Sequence, residues 1–197
     1  TVLQGDALIR SAETNATEHV QVTAVPYYAH ANRDQGFMAV WLPENVADTA
    51  LAHPPTIASE STPSSSVQNA DTASALNDLQ EPANSNDQSI PRCTWWNHLG
   101  TKEWAQYDFK KPVQVSGVEV YWFDDTGVGQ CRVPQSWRVL YRVDGKWRKV
   151  NAAETGGVAR DTYNALRFEL VTTDALRLEA QLQKDFSGGV LEWKVLE

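Results

Sequence analysis

Hydrophobic and polar positions alternate most cleanly between Val118 and Trp147, in the stretch VEVYWFDDTGVGQCRVPQSWRVLYRVDGKW. Val118, Val120 and Trp122 alternate with Glu119, Tyr121 and Phe123, the period of two that lets a strand bury one face. In the next run, Trp137–Val143, Trp137, Val139 and Tyr141 share one face, with Arg138 and Arg142 on the other. That run ends at Asp144-Gly145, residues that accept the positive φ of a two-residue type I′ turn, so a hairpin into Trp147–Val150 is expected. Between the two runs, Asp124 to Ser136 is too long and too polar for a tight hairpin. It reads as an elaborate loop presented by a rigid scaffold.

The same alternation recurs at Trp104–Phe109, closed by Lys111-Pro112, and at Ala165–Leu170, Ala175–Leu182 and Val190–Leu196. Short antiparallel strands, Gly- and Asp-rich turns and no long helical pattern predict an all-β sandwich. Ahead of them, Ala7–Ile9, Val20–Val25 and Phe37–Leu42 are β-like but too few to bury a core alone. They are expected to end an upstream sandwich domain or to add strands to the second half. Residues 46–63 are Ala-, Ser-, Thr- and Pro-rich without periodicity and read as a linker. From Ser64 the pattern becomes specific again, with a helical turn at Ala73–Leu76 and an oxygen-rich loop from Asn77-Asp78 to Pro82 and beyond. The expected organisation is therefore 1–45 remnant, 46–63 linker and 64–197 sandwich.

Charge and composition sharpen this division. Residues 1–90 carry two basic and eleven acidic side chains, residues 91–197 fifteen and fourteen, and seven of the eight tryptophans follow residue 90. An acidic leader before a nearly neutral, Trp-rich half lacks the basic stripe that nucleic-acid binding needs. No apolar run approaches the roughly 20 residues of a bilayer span. The chain opens on Thr1 rather than Met, which suggests a processed or shortened product. Cys93 and Cys131 are too few for a disulfide framework or zinc site; they either pair across loops or stand as two separate buried thiols. An apolar N-terminal segment with open strand edges also leaves self-pairing between copies as a possibility.

The motifs now on the page resemble a known family. "ALND", "EWAQYDFKKP", "VSGVEVYW", "PQSWRVLYRVDGKW" and the final "LEWKV" resemble a coagulation factor 5/8 type C (discoidin) domain over roughly Ser64 to Glu197. The resemblance implies a discoidin-like, eight-stranded jelly-roll sandwich shared with carbohydrate-binding modules of family 32. More narrowly, "IPRCTWWNHLGTKEWAQYDF", "YWFDDTGVGQCRVPQSWRVLYR" and "FSGGVLEWKV" are similar to the C-terminal module of bacterial family 127 glycoside hydrolases, the β-L-arabinofuranosidases. The leader "VTAVPYYAHANRDQGFMAVWLPE" resembles the sandwich that follows their catalytic barrel. The barrel's own catalytic motifs have no match here.

Two groups of residues carry the functional expectations. A loop-end rim is expected from Trp95, Trp96, Asn97, His98 and Lys102 in one loop, Asp124, Asp125 and Arg132 in another, and Phe186 in a third. Sugar recognition needs an apolar ring face for C–H groups beside planar polar groups for hydroxyls, and these residues supply both. Phe186 occupies the loop before the last strand, where carbohydrate-binding relatives often place an aromatic. Set against this, paired tryptophans in a small sandwich are commonly core, and Arg132 equally suits a clamp on Asp124 or Asp125. The second group is a calcium site. Calcium takes six to eight oxygens, and many discoidin-like modules hold one between the first loop and a Glu on the last strand. Asp78, Ser85 and Glu192 match that pattern, with Leu79 standing where a Gly usually follows the Asp.

Catalysis finds little support. Asp124 and Asp125 are sequence neighbours, whereas a glycosidase pair is defined by its separation across a sugar-sized cleft. The four histidines lack zinc spacing, and no nucleophile elbow or phosphate loop occurs. The expectation is a non-catalytic carbohydrate-binding module of an exported (periplasmic or extracellular) bacterial glycoside hydrolase. It would bind a plant-type glycan or oligosaccharide beside the upstream catalytic domain of the same polypeptide. The alternative is a structural module that buttresses or completes that domain's active site with no ligand of its own.

Overall fold

The computed structural model describes residues 55–67 and 73–197 in full and, within residues 1–54, the backbone of four strands. Thr1–Pro54 and Pro55–Glu197 form separate compact units. In the first, β1 (Gly5–Arg10) pairs antiparallel with β2 (Thr17–Val22), and β3 (His30–Asn32) with β4 (Gly36–Met38). The runs at Ala7–Ile9, Val20–Val25 and Phe37–Leu42 touch β1, β2 and β4, and their remaining residues lie outside those described. β3 has no apolar alternation that would announce it.

The second unit holds β5 (Thr62–Ser65), a 3-10 turn at Ser74–Leu76, β6 (Cys93–Thr94), β7 (Lys102–Phe123), β8 (Ser136–Val143), β9 (Lys146–Lys149), β10 (Tyr163–Gln181) and β11 (Gly189–Leu196). The stretch 55–63, expected within the linker, belongs to this unit. Thr56 and Ser59 cap each other's amides, and the Ser61 hydroxyl and Asn77 side chain both donate to the Ala58 carbonyl at 2.6 Å. Ala58 is thereby held in the core at 2 % exposure, and Thr62–Ser65 pairs with β7. Small polar side chains here satisfy the backbone locally instead of leaving it to solvent.

Two long strands make the sandwich. The runs Trp104–Phe109 and Val118–Phe123 are one strand, β7, and Ala165–Leu170 and Ala175–Leu182 are one strand as far as Gln181, β10. Their mutual register runs from Gln181↔Lys102 to Ala175↔Asp108, breaks, and resumes from Thr173↔Val113 toward Tyr163↔Tyr121. Pro112 sits in that break, where no ladder partner needs the N–H that proline lacks, so it bends the strand without ending it. Thr173 covers the opposite side of the bend: its hydroxyl accepts from the Arg142 and Ala175 amides at 3.0 and 3.1 Å.

Because both strands bend, each serves two layers. In the first, the order is β5, start of β7, end of β10, β8, β9; in the second it is β6, β11, end of β7, start of β10. The layers meet through aromatic pairs. Tyr107 of the first stacks on Trp193 of the second with ring centroids 4.2 Å apart, and Trp122 meets Trp137 edge-to-face at 5.6 Å. Trp95, Trp122 and Trp193 are fully buried in one core cluster with Leu76, Leu176 and Leu178. Rings of this size supply most of the apolar area such a core removes from water. Asp144 and Gly145 both adopt positive φ (51° and 70°), the type I′ turn expected between β8 and β9. This is the all-β sandwich that the strand pattern predicts, and its two layers agree with the discoidin-like jelly roll that the motif resemblance implies.

Candidate functional site

Three loops meet at one end of the sandwich: 95–101 after β6, 124–132 after β7 and 183–188 before β11. Backbone bonds stitch them with the last loop in the middle. The Trp95 amide donates to Gly188 and that of Gly100 to Phe186, while Arg132 donates to Ser187 and Ser187 to Gln130, all at 3.0–3.1 Å. Gly100 takes φ +67°, and a Cβ there would lie 2.5 Å from the Lys184 carbonyl oxygen. The close approach of the first and third loops therefore requires glycine.

The adjacent tryptophans divide between core and surface. Trp95 is fully buried, its indole N–H directed at the Trp104 carbonyl, so it is core and leaves the rim. Trp96 is 53 % exposed beside a groove of about 250 Å³ that Arg92, Thr94, Asp125 and Gln130 also line. Asn97 and His98 are exposed next to it. The His98 ring is held from below: its Nδ1 lies 2.7 Å from Oε1 of Glu103, which is 4 % exposed. Glu103 also accepts from the Thr101 hydroxyl at 2.6 Å and from the Ser66 hydroxyl. Burial alone would raise its pKa, but the hydroxyls of Ser66 and Thr101, then His98, hold it below the usual range. With Glu103 as the carboxylate, Nδ1 carries the proton and Nε2 remains for a partner.

Several expected rim residues work inside the loop instead. Asp124 is 2 % exposed; its carboxylate accepts from the amides of Thr126 and Val133, both at 3.0 Å, and from the Thr126 hydroxyl. Burial opposes its ionisation, but those bonds and the Arg160 guanidinium at 3.6 Å hold its pKa down. The assignment of Asp124 to the sugar-facing surface is corrected accordingly: it is a loop anchor, because a buried loop backbone needs acceptors. Asp125 accepts from the Cys131 amide at 2.7 Å and approaches Arg132 at 3.5 Å. Arg132 donates to the carbonyls of Gly129 and Cys131 and lies 4.5 Å over the half-buried Phe186 ring. This is the clamp that the sequence left open, paired to Asp125, with Asp124 taken by Arg160. Cys93 and Cys131 are buried thiols not joined in a disulfide, and burial followed by the Asp125 charge pushes Cys131 up to about 11.

On the outer face of the second layer, Glu192 pairs in register with Tyr121 and is fully buried. Neither of its carboxyl oxygens completes a well-formed hydrogen bond, though the Asp78 side chain and the Leu79 backbone lie close to it. Burial, then the neighbouring Asp78 charge, pushes its pKa up to about 9, and burial also raises Asp78. Leu79 takes φ +63°, so the chain keeps the left-handed turn after Asp78 that a glycine would have adopted freely. Ser85 is drawn to other partners: its hydroxyl accepts from the Asp161 amide at 2.8 Å and its carbonyl from the Asp124 amide. Among the described residues no three His, Cys, Asp or Glu side chains converge as a metal-ligand group.

Sequence reasoning missed Glu103, Arg92 and Gln130. Glu103 carried a signal, an acid beside the apolar strand pattern that opens at Trp104, five residues after a histidine.

Fold and site together define an all-β module with a loop-end surface. Residues 58–192 match the F5/8 type C domain family, and the chain belongs to it. Residues 4–43 match the C-terminal domain of glycoside hydrolase family 127. No curated protein sequence matches. Among solved structures, the chain is similar to the β-galactosidase of Streptococcus pneumoniae, with 19 % identity, 70 % of this chain and 92 % of that chain covered, and a TM-score of 0.57. It is also similar to chitosan-binding module 1 of the chitosanase/glucanase from Paenibacillus sp. IK-5, with 16 % identity, coverage of 73 % and 100 %, and TM-score 0.53. A third is the family 32 carbohydrate-binding module of Clostridium perfringens NanJ in complex with galactose, with 15 % identity, coverage of 71 % and 95 %, and TM-score 0.53. At these identities the likeness is one of fold.

Proposed function

We propose that this chain is a non-catalytic carbohydrate-binding module, carried by an exported bacterial glycoside hydrolase of the β-L-arabinofuranosidase type and binding plant-type glycan at the loop end. One observation carries the reading: an indole more than half exposed, Trp96, stands beside Asn97 and a histidine whose ring is fixed from beneath by the buried Glu103. Trp96 supplies the face for sugar C–H groups; Asn97 and the free nitrogen of His98 supply directional bonds to hydroxyls. Asp125, Arg132 and Phe186 act behind them, holding the loops in place. One exposed ring makes a weak site, which becomes useful when attachment to a catalytic domain raises the local substrate concentration.

A structural calcium ion belongs to the same proposal. The paired acids Asp78 and Glu192, with neither Glu192 oxygen in a well-formed hydrogen bond, suit a cation with oxygen ligands, and loop carbonyls would complete the shell. When bound, the ion would displace the proton held by the buried Glu192 and balance it together with the half-buried Asp78. Asp78 and Glu192 would hold the 77–87 loop against β11.

The deciding experiment is calorimetric titration of arabinose- and galactose-containing oligosaccharides into the chain and into Trp96→Ala. The expected result is binding lost by at least tenfold, a stacking contribution of about 1.4 kcal/mol or more, with the unfolding midpoint unchanged because Trp96 is exposed. Absence of binding by the parent chain to every glycan of the panel sinks the proposal and leaves the buttress.

A further inference from the structure

The outer face of the first layer brings indoles and cationic side chains together. On neighbouring strands the register places Trp104 beside Glu179 and Arg138, and Gln106 beside Arg177. Arg177 lies between two indoles, its guanidinium 4.6 Å over Trp104 and 4.4 Å over Trp147. It bonds only a neutral amide there, Gln106, at 2.6 and 3.0 Å. The other two arginines are matched: Arg138 pairs with Glu179, and Arg142 with Asp108 and Asp174. Toward the rim, Lys102 and Lys149 line one depression of about 340 Å³ together with Ser136, Gln181 and the Arg138–Glu179 pair, whose charges offset each other. Among the described residues, no carboxylate lies within ion-pair distance of Lys102, Lys149 or Arg177. A chain of formal charge −8 thus presents one face with three unmatched cations, two of them exposed.

We propose that this face is a second binding surface, for the carboxylates of an acidic polysaccharide, and that it is separate from the loop-end rim. The chemistry selects the partner. Three unmatched cations over a flat sheet and its depression suit an extended chain of carboxylated sugars, whose rings lie flat and whose charges recur along the chain. Single-stranded nucleic acid needs open aromatic faces for base stacking, and here a guanidinium occupies a face of each indole.

The test is affinity electrophoresis of the full chain in gels containing polygalacturonate, the same polymer with its carboxyls reduced, or single-stranded DNA. Retardation by polygalacturonate alone is expected, weakening as salt rises. The double variant Lys102→Ala/Lys149→Ala should lower the affinity at least tenfold at unchanged melting temperature, since both side chains are exposed. Arg177→Gln should lower it further, while Trp96→Ala should leave it intact. The proposal is overturned by no retardation at low salt, by equal retardation in DNA gels, or by a double variant that binds as the parent does. Loss of polygalacturonate binding in Trp96→Ala but not in the lysine variant also overturns it, because the charge would then be read at the rim. The neutral-glycan titrations of Trp96→Ala are independent of all these outcomes, so the two sites stand or fall separately.

Discussion

The buried Glu103 joins stability to binding, so its replacement by glutamine tests both. The carboxylate receives the Ser66 hydroxyl on one oxygen, and the Thr101 hydroxyl and His98 Nδ1 on the other, at 2.6 and 2.7 Å. An amide keeps one acceptor oxygen and turns an NH₂ toward a donor, so at least one charge-assisted bond is lost. Such bonds contribute about 1.5–3 kcal/mol each, and a stranded buried donor costs about as much. Glu103→Gln should therefore destabilise the fold by about 2–3 kcal/mol at pH 7, measured by urea denaturation. The pH dependence carries a sign. The folded-state pKa of Glu103 is depressed below 4.5, so its contribution is present above that value and is lost as pH falls through the folded pKa. The gap between parent and variant should be full at pH 7 and narrow as pH falls through that depressed folded-state pKa. Glycan affinity should also fall, by roughly three- to tenfold, a loss of about 0.6–1.4 kcal/mol, because the His98 ring loses the carboxylate that orients it. A variant within 0.5 kcal/mol of the parent at pH 7, or a gap that persists at acid pH, would refute this account of Glu103.

Two further outcomes follow from buried groups. Tyr107 directs its hydroxyl at the carbonyls of Leu76 and Trp193, at 2.5 and 2.9 Å, from inside the core. Tyr107→Phe keeps the stacked ring but strands those oxygens, so a loss of about 1–3 kcal/mol is expected in urea denaturation; no change would mean that water replaces the hydroxyl. Calcium at a hundredfold excess over its Kd should stabilise the chain relative to EDTA by about 2.7 kcal/mol, or roughly 5–10 °C in a melting scan of a domain of this size. Glu192→Gln should abolish that shift while melting normally in EDTA; a shift that survives the substitution places the ion elsewhere.

How much of this was legible in the sequence depends on the length scale of the cause. Period-two alternation identified the strands, and Asp144-Gly145 the hairpin, because both signals lie within a few residues. The same pattern cannot show that β7 and β10 pass from one layer to the other. Side chains keep alternating through a bend, and Pro112 reads as a stop until its partner strand is seen to break register there. The site follows the same logic. Trp95 follows the end of β6 and Trp96 lies in the turn after it, closed by the His98 amide on the Trp95 carbonyl; Trp95 is the buried one because Gly188 and Trp104 take its amide and its indole N–H. Asp124 and Asp125 look like surface acids because loops are polar. They turn inward because a long loop over a packed core has amides that need acceptors. The Trp104–Arg177–Trp147 stack was invisible for the strongest form of this reason. Its members sit on β7, β10 and β9, and only the antiparallel register across three strand pairs brings them onto one face. An arginine that a local reading assigns to solvent is placed by the fold between two indoles with no acid beside it, and that is what gives the face its charge.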